Sequence, residues 1–269
     1  MKLKRTTLLL ALCGIAVTLS AQDDFGLDLG LEGSTKLAKG LKLGIDLGMR
    51  TQDNTQRVDR YSIASTLSYK IFTTADKKVD LKISGGFSYM WVHKLQESTL
   101  SKYSDTEYSA EKLYDSIDRY WQGRHRTTLA LTLGYTPSKR WSFTLKESVQ
   151  YNHYCSKDSV GRKKWRINDD DEPYIRPGET KNIGAKDRFV LRNKAEATYD
   201  IPGCKIDPYI SVDYGVGLNY TANKWKFTLG GDYKITKGSK FGIFYRYNTE
   251  SDDDEVNGHL LGLSYKIEF

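Results

Sequence analysis

The chain has 269 residues, of which 28% are charged and 12% aromatic, and its formal net charge is +7. Lysines and arginines are interspersed with acidic residues instead of clustering on one element, which excludes a nucleic-acid-binding region. The low mean hydropathy does not exclude a membrane protein, because a closed β-barrel needs only alternate residues to be apolar.

The N-terminus has the three parts of a secretory signal peptide. Met1–Arg5 is basic, Thr6–Leu19 is apolar, and Ser20-Ala21-Gln22 offers a small-residue cleavage site. We predict cleavage after Ala21, which leaves residues 22–269 as one outer-membrane β-barrel. Cleavage removes three of the 41 basic residues and none of the 34 acidic ones, so the mature net charge is +4.

Segments of alternating polarity follow along the rest of the chain. A period of two predicts strands with one apolar face. The rows are about ten residues long, the length that a tilted strand needs to cross the hydrocarbon layer, and aromatic residues gather near their ends. The predicted strands are 25–36, 41–50, 61–72, 79–92, 124–135, 141–152, 187–200, 206–218, 224–235, 240–248 and 258–269.

Short and long connections alternate between these strands. The short ones carry Gly, Pro, Ser and Asp, as tight turns do, and are 37–40, 73–77, 135–140, 201–204 and 235–239. The long ones are 51–60, 94–123, 153–186, 219–223 and 249–257. This alternation predicts an all-β, transmembrane, antiparallel up-and-down barrel with periplasmic turns and outward loops.

The strand count conflicts with this architecture. Eleven segments are found, whereas single-chain bacterial barrels have an even number of strands. We therefore expect ten full strands, with segment 25–36 not spanning fully, and twelve as the alternative.

The last strand ends on an aromatic residue, as bacterial outer-membrane barrels usually do. Its apolar face predicts the signal that the barrel-insertion machinery reads, formed by Leu263, Tyr265, Ile267 and Phe269. We expect the protein in the outer membrane, in contact with its lipid and lipopolysaccharide. The sequence does not fix the oligomeric state.

The inward rows carry charges of both signs. The main predicted lumen charges are Arg50, Lys82, Arg126, Arg192, Glu196, Asp213, Asp232 and Arg246. A barrel of about ten strands has little interior room, and unpaired buried charges are costly. We therefore favour a plug of ion pairs, with a solute channel as the alternative. Glu147 falls on the lipid-facing row, which a β-bulge or a pairing with a neighbouring strand would explain.

Four histidines lie at the outward ends of predicted strands, and they are His93, His125, His153 and His259. With acidic partners they would form a metal site or a His/Asp hydrolytic site at the rim. No HExxH or GxSxG motif supports this chemistry. The sequence favours a protein without catalysis, metal or cofactor, and a rim hydrolase is the alternative.

Two acidic runs lie in predicted outward loops. The metal-ligand candidates in them are Asp169, Asp170, Asp171, Asp252, Asp253 and Asp254. We favour solvated loop tips, with weak Ca²⁺ contacts as the alternative.

The mature chain keeps only Cys155 and Cys204. The predicted topology places them on opposite sides of the membrane, farther apart than a disulfide allows. We predict two free thiols.

Several stretches resemble one family of Bacteroidetes-type outer-membrane barrels, catalogued as domain of unknown function 2490. They are Tyr120–Arg126, Phe143–Tyr151, Phe189–Ala195, Tyr199–Ile201, Pro208–Ser211 and His259–Tyr265. The resemblance covers most of the mature chain and implies fold and location, but no active-site residues. We therefore expect a structural, surface-interaction or narrow-transport role. A rim enzyme and an exported soluble barrel that binds an apolar ligand are the alternatives.

Overall fold

The computed structural model of the protein describes residues 24–104, 112–170, 172–250 and 258–269. The predicted signal peptide lies outside these residues. Their regular elements are the strands β1 (Asp24–Ala38), β2 (Leu41–Gln52), β3 (Arg57–Thr73), β4 (Val79–Lys94), β5 (Glu97–Leu100), β6 (Tyr114–Ile117), β7 (Tyr120–Tyr135), β8 (Trp141–Tyr154), β9 (Lys157–Lys163), β10 (Trp165–Ile167), β11 (Pro173–Ile175), β12 (Thr180–Ile183), β13 (Lys186–Tyr199), β14 (Ile206–Gly217), β15 (Asn223–Lys234), β16 (Ser239–Glu250) and β17 (Gly258–Glu268). Within the described ranges, no helix is long and apolar enough to cross a membrane.

Eleven of these strands close into a barrel, which confirms the predicted fold class. They are β1, β2, β3, β4, β7, β8, β13, β14, β15, β16 and β17, in chain order around the wall. Neighbours along the chain pair antiparallel, whereas β1 and β17 pair parallel and close the seam. The parallel seam explains the odd count, because the first and last strands of an odd up-and-down series run in the same direction. Segment 25–36, expected to span only partly, is the core of β1.

The seam has an unbroken register from the pair Asp24–Gly258 to the pair Ser34–Glu268. Beyond it, the Phe269 amide donates a hydrogen bond of 2.8 Å to the Ser34 carbonyl. The terminal strand therefore pairs with β1 across the seam along its whole length.

The connections separate the two ends of the barrel. The short-turn end holds Phe269 and the turns 39–40, 74–78, 136–140, 200–205 and 235–238. The long-loop end holds the start of β1 and the loops 95–119 and 155–185. One predicted long loop, 51–60, is shorter than expected, because β2 and β3 stay paired to Gln52–Arg57. The turn that remains uses positive φ angles at Asp53, Asn54 and Thr55.

The two longest loops continue the wall beyond the barrel. Strands β12, β9, β6 and β5 form a four-stranded sheet, and β10 pairs with β11. The pair β6–β9 joins the two loops at Ile117–Arg162. The long-loop end therefore has an ordered collar above the barrel.

The outer face of the barrel is apolar. Ile45, Leu47, Ile63, Leu129 and Leu131 point outward, each about half exposed. In contrast, no large side chain among the described residues is fully buried inside. This distribution is the reverse of a water-soluble protein and matches a barrel whose outer surface faces lipid.

Glu147 is an exception on this apolar face. Its register is continuous with Leu131 on β7 and Asn193 on β13, so no β-bulge turns it inward. Glu147 and Asn193 instead form a polar spot on the outer surface.

Candidate functional site

A cavity of about 700 Å³ lies inside the barrel. Alternate residues of several strands face it, as in the row Ser148, Gln150, Asn152 and Tyr154 of β8. Among the described residues that line it, twelve are Lys or Arg and five are Asp or Glu. The lining is therefore predominantly basic.

Most of the predicted lumen charges line this cavity. Seven of the eight do so, namely Arg50, Arg126, Arg192, Glu196, Asp213, Asp232 and Arg246. Lys82 is not part of the lining, and its ammonium lies 3.0 Å from the Asp80 carboxylate on the same strand.

Ion pairs follow the wall, as expected, but they do not fill the lumen. Lys194 lies 2.7 Å from Glu196, and Lys266 lies 3.3 Å from Asp232. The first pair joins two positions of β13, and the second joins β15 to β17 over the intervening strand β16. Space remains because the barrel has eleven strands and because inward rows near the seam carry glycine at positions 30, 48 and 242. The described ion pairs thus line a cavity of about 700 Å³, and the choice between an ion-pair plug and a solute channel stays a prediction.

Two inward aromatic rings lie against glycines of adjacent strands. A Cβ atom at Gly262 would overlap the ring of Phe244, and one at Gly230 would lie too close to the ring of Tyr209. Both aromatic residues line the cavity. Only glycine at these two positions lets the rings lie against the wall.

A cluster of cations surrounds Tyr154 at the long-loop end of the lumen. The Tyr154 side chain is 5% exposed. The Lys94 ammonium and the Arg124 and Arg188 guanidinium groups lie 5.6, 5.2 and 5.6 Å from its ring centroid. Arg188 also lies 4.4 Å from the ring centroid of Tyr220. We call Lys94, Arg124, Tyr154 and Arg188 the Tyr154 cluster.

Arg124 is the most constrained member of the Tyr154 cluster. It is 4% exposed, and its Nη1 donates to the Tyr154 hydroxyl at 2.9 Å. Its Nη2 lies 3.4 Å from the Met90 sulfur, a weak acceptor, and its buried Nε has no hydrogen-bond partner among the described residues. Within that part of the chain, Arg124 hydrogen-bonds only to uncharged groups.

Sequence reasoning missed the Tyr154 cluster. One signal could have indicated it. Inward-row residues lie at the outward ends of β4, β7 and β8, and these three strands are consecutive in the barrel. Only the register, which pairs Arg124 with both Met90 and Tyr154, brings them together.

Three of the four rim histidines lie on neighbouring strands of the outer face. His125 pairs with His153, whose Nδ1 lies 2.7 Å from Oδ1 of Asp187. The same oxygen accepts a hydrogen bond of 2.8 Å from the Tyr151 hydroxyl. His93 lies on β4 and stacks on Trp121. These side chains share the outward rows, so they face the surroundings of the barrel and not the lumen.

His259 lies apart from the other three, on β17. Its Nδ1 is 2.5 Å from the Tyr245 hydroxyl, and its ring stacks on Tyr247. The structure therefore brings together two of the four rim histidines, His125 and His153, whose ring centroids lie 6.2 Å apart.

The metal candidates are not brought together where they are described. Asp169 and Asp170 lie in the loop after β10, and the Asp170 amide donates to the Asn168 side chain at 3.1 Å. Asp171, Asp252, Asp253 and Asp254 lie outside the described residues. In the part of the chain that the structure covers, no three His, Cys, Asp or Glu side chains converge as a metal site would need.

The predicted insertion signal occupies the outer face of β17 and the chain end. Leu263 pairs with Ile243, and Tyr265 pairs with Phe241, on the neighbouring strand. Ile267 pairs with Ser239, and Phe269 is 80% exposed at the short-turn end.

The two cysteines lie at opposite ends of the barrel, as predicted. Cys155 follows β8 at the long-loop end, and Cys204 lies in the turn 200–205 at the short-turn end. Both thiols are free.

Together, the apolar outer wall and the polar, predominantly basic interior define a single-chain β-barrel of the membrane type. The chain belongs to the family described as "Protein of unknown function (DUF2490)", whose profile matches residues 26–258. Among solved structures, it is similar to the β domain of the Bordetella autotransporter BrkA, at 12% identity and a TM-score of 0.49. That similarity covers 87% of this chain and 86% of the other. No curated protein matches.

Proposed function

We propose that this protein is an outer-membrane β-barrel whose lumen admits small anions. The observation that carries this function is the composition of the described part of the cavity lining, in which basic residues outnumber acidic ones twelve to five. A narrow passage with low-dielectric walls and one predominant sign of charge concentrates ions of the opposite sign. Small anions therefore enter more readily than cations of the same size.

The outer-membrane location is supported by two features. They are the apolar outer face and the aromatic residues near the strand ends. In this account the barrel contacts lipid and lipopolysaccharide, and the insertion machinery reads the outer face of β17. Cell fractionation tests the location: we expect the protein in the outer membrane with heat-modifiable gel mobility, and a wholly periplasmic protein would contradict it.

Tracer influx into protein-containing vesicles tests the lumen. Purified barrel is refolded into neutral phosphatidylcholine vesicles, and uptake of radioactive chloride is compared with uptake of radioactive rubidium. We expect chloride to enter faster than rubidium, relative to empty vesicles. Equal uptake, or faster rubidium uptake, would contradict an anion-admitting lumen.

A rim hydrolase is the second candidate function, and the pair His153–Asp187 favours it. A histidine oriented by a carboxylate is the arrangement of a general base, and the distance of 2.7 Å is that of a hydrogen bond. The pair lies on the outer face, where lipid ester bonds are within reach. Its test is release of labelled fatty acid from phospholipid or lipopolysaccharide, with His153→Asn and Asp187→Asn as the variants. Activity that both variants abolish would support this candidate, and no release by the wild type would remove it.

A further inference from the structure

We propose that the lumen binds small zwitterions, which carry an ammonium group and a carboxylate, between Glu32 on one wall and Lys146 on the opposite wall. This inference rests on the proposed function and names a class of solute that the lumen holds. Both side chains line the cavity of about 700 Å³, which has room for a molecule of amino-acid size.

Two carboxylates lie side by side on the wall formed by β1 and β2. Glu32 and Asp46 are register partners, and neither forms an ion pair or a hydrogen bond with another described side chain. Glu32 is solvent-exposed inside the barrel because it projects into the cavity. Its register partner on β17 is Lys266, which lies 3.3 Å from Asp232. Three of these four side chains are acidic, so this part of the wall is negative.

Two ammonium groups lie side by side on the wall formed by β8 and β13. Lys146 and Lys194 are register partners, and both line the cavity. Lys194 lies 2.7 Å from Glu196, and Arg192 donates a hydrogen bond of 3.1 Å to Asp213. Lys146 forms no ion pair or hydrogen bond with another described side chain. It is therefore the cation of this wall that is available to a solute.

The acidic and basic pairs face each other across the lumen. The wall has eleven strands, and β8 and β13 each lie five strands from β1, in opposite directions around it. The charge of Lys146 acts on Asp46, and that of Lys194 acts on Glu32, although no direct ion pair joins these four side chains across the gap. These interactions place the two pairs at the same level of the barrel.

A solute with two opposite charges fits this level better than a simple anion does. A simple anion beside Lys146 is attracted by one wall and repelled by Glu32 and Asp46 on the other. A zwitterion directs its carboxylate to Lys146 and its ammonium to Glu32, so both ends form charge-assisted hydrogen bonds. Its ammonium also relieves the repulsion between the two neighbouring carboxylates.

Saturation-transfer NMR on the detergent-solubilised full-length barrel tests the site with three probes of similar size. They are 4-aminobutyrate, which is a zwitterion, 4-hydroxybutyrate, which keeps only the carboxylate, and 4-amino-1-butanol, which keeps only the ammonium. We expect 4-aminobutyrate to bind saturably and about tenfold more tightly than either analogue, because each analogue lacks one charge-assisted contact.

Four variants assign the two contacts. Glu32→Gln and Lys146→Gln should each weaken 4-aminobutyrate binding about tenfold, and either one serves if the other does not refold. The matched controls are Asp76→Asn, at an exposed turn, and Lys82→Gln, which removes an inward cation outside the cavity lining. Both controls should bind as the wild type does.

A double variant separates the arrangement of the charges from their sum. Glu32→Lys combined with Lys146→Glu keeps the net charge but gives each wall one charge of each sign. We expect it to lose 4-aminobutyrate binding as the single variants do. Binding equal to that of the wild type would show that the opposed charges are not the site.

Two further results would overturn the site: no saturable binding of 4-aminobutyrate, or equal affinity for the three probes. The vesicle tracer experiment separates this failure from failure of the proposed function. Chloride-selective influx together with equal affinity for the three probes would refute the site alone. Zwitterion binding that depends on Glu32 and Lys146, without anion-selective influx, would support the site and refute the proposed function.

Discussion

Asp28 and Arg246 form an ion pair of 3.1 Å across the parallel seam, although 218 positions separate them in the chain. Asp28 lies on β1 and Arg246 on β16, so the pair bridges over β17. The same carboxylate oxygen lies 3.0 Å from Nη2 of Arg50 on β2. One acidic residue thus joins three strands around the only parallel pairing of the barrel wall.

Replacing Asp28 tests this role. Asp28→Asn removes the shared negative charge and leaves two largely buried guanidinium groups without it. We expect the free energy of unfolding to fall by about 2 kcal/mol, measured as the urea midpoint of tryptophan fluorescence in lipid vesicles. Asp76→Asn, at an exposed turn carboxylate, is the control and should change it by less than about 0.5 kcal/mol. An equal effect of both substitutions would refute the role of Asp28 at the seam.

The contact between Phe244 and Gly262 predicts a second effect on stability. A methyl group at Gly262 would overlap the Phe244 ring, so Gly262→Ala should destabilise the barrel by about 1–3 kcal/mol. Gly85→Ala is the matched control, because a Cβ atom there meets no atom within 4 Å. Adding Phe244→Leu should recover part of the loss. If Gly262→Ala and Gly85→Ala unfold at the same urea concentration, the close packing is refuted.

Glu147 should lower the stability of the barrel, compared with an apolar residue at the same position. A carboxylate on the lipid-facing surface costs free energy in proportion to its depth, so Glu147→Leu should stabilise the barrel by about 1 kcal/mol. Glu147→Gln removes only the charge and should give a smaller gain. Heat-modifiable gel mobility and urea unfolding in vesicles measure both variants. A loss of stability in Glu147→Leu would show that this carboxylate has a binding partner.

The cysteines report the orientation of the barrel. In intact cells, a membrane-impermeant maleimide should label Cys155 in the Cys204→Ser variant. The same reagent should label Cys204 in the Cys155→Ser variant only after the outer membrane is permeabilised. The opposite pattern would mean that the short-turn end faces outward.

The alternating rows predicted most of the fold, because a strand with one apolar face shows a period of two in the sequence. All eleven predicted segments form barrel strands. The parallel seam was not predictable, since it depends on a pairing between β1 and β17, the first and last strands along the chain. Ten strands were expected because single-chain bacterial barrels have an even number of strands.

The site was less predictable than the wall. Inward charges such as Arg126 and Asp213 follow from alternation, and most of them line the cavity. The Tyr154 cluster depends on the pairing register of β4, β7, β8 and β13. That register could not be predicted from the sequence, because long loops connect these strands. The pairing of His153 with Asp187 was missed for the same reason.

The measurement that tests the central claim most directly is the reversal potential of the barrel in a planar lipid bilayer under a potassium chloride gradient. Lys146 lines the cavity and makes no ion pair with any described residue, so Lys146→Glu reverses a lumen charge without breaking such a pair. Lys181→Glu makes the same charge change on an exposed residue of β12 outside the lumen. We predict an anion-selective potential for the wild type and the Lys181 variant, and a shift toward cation selectivity for the Lys146 variant. A cation-selective wild type, or identical potentials for all three proteins, would contradict the account.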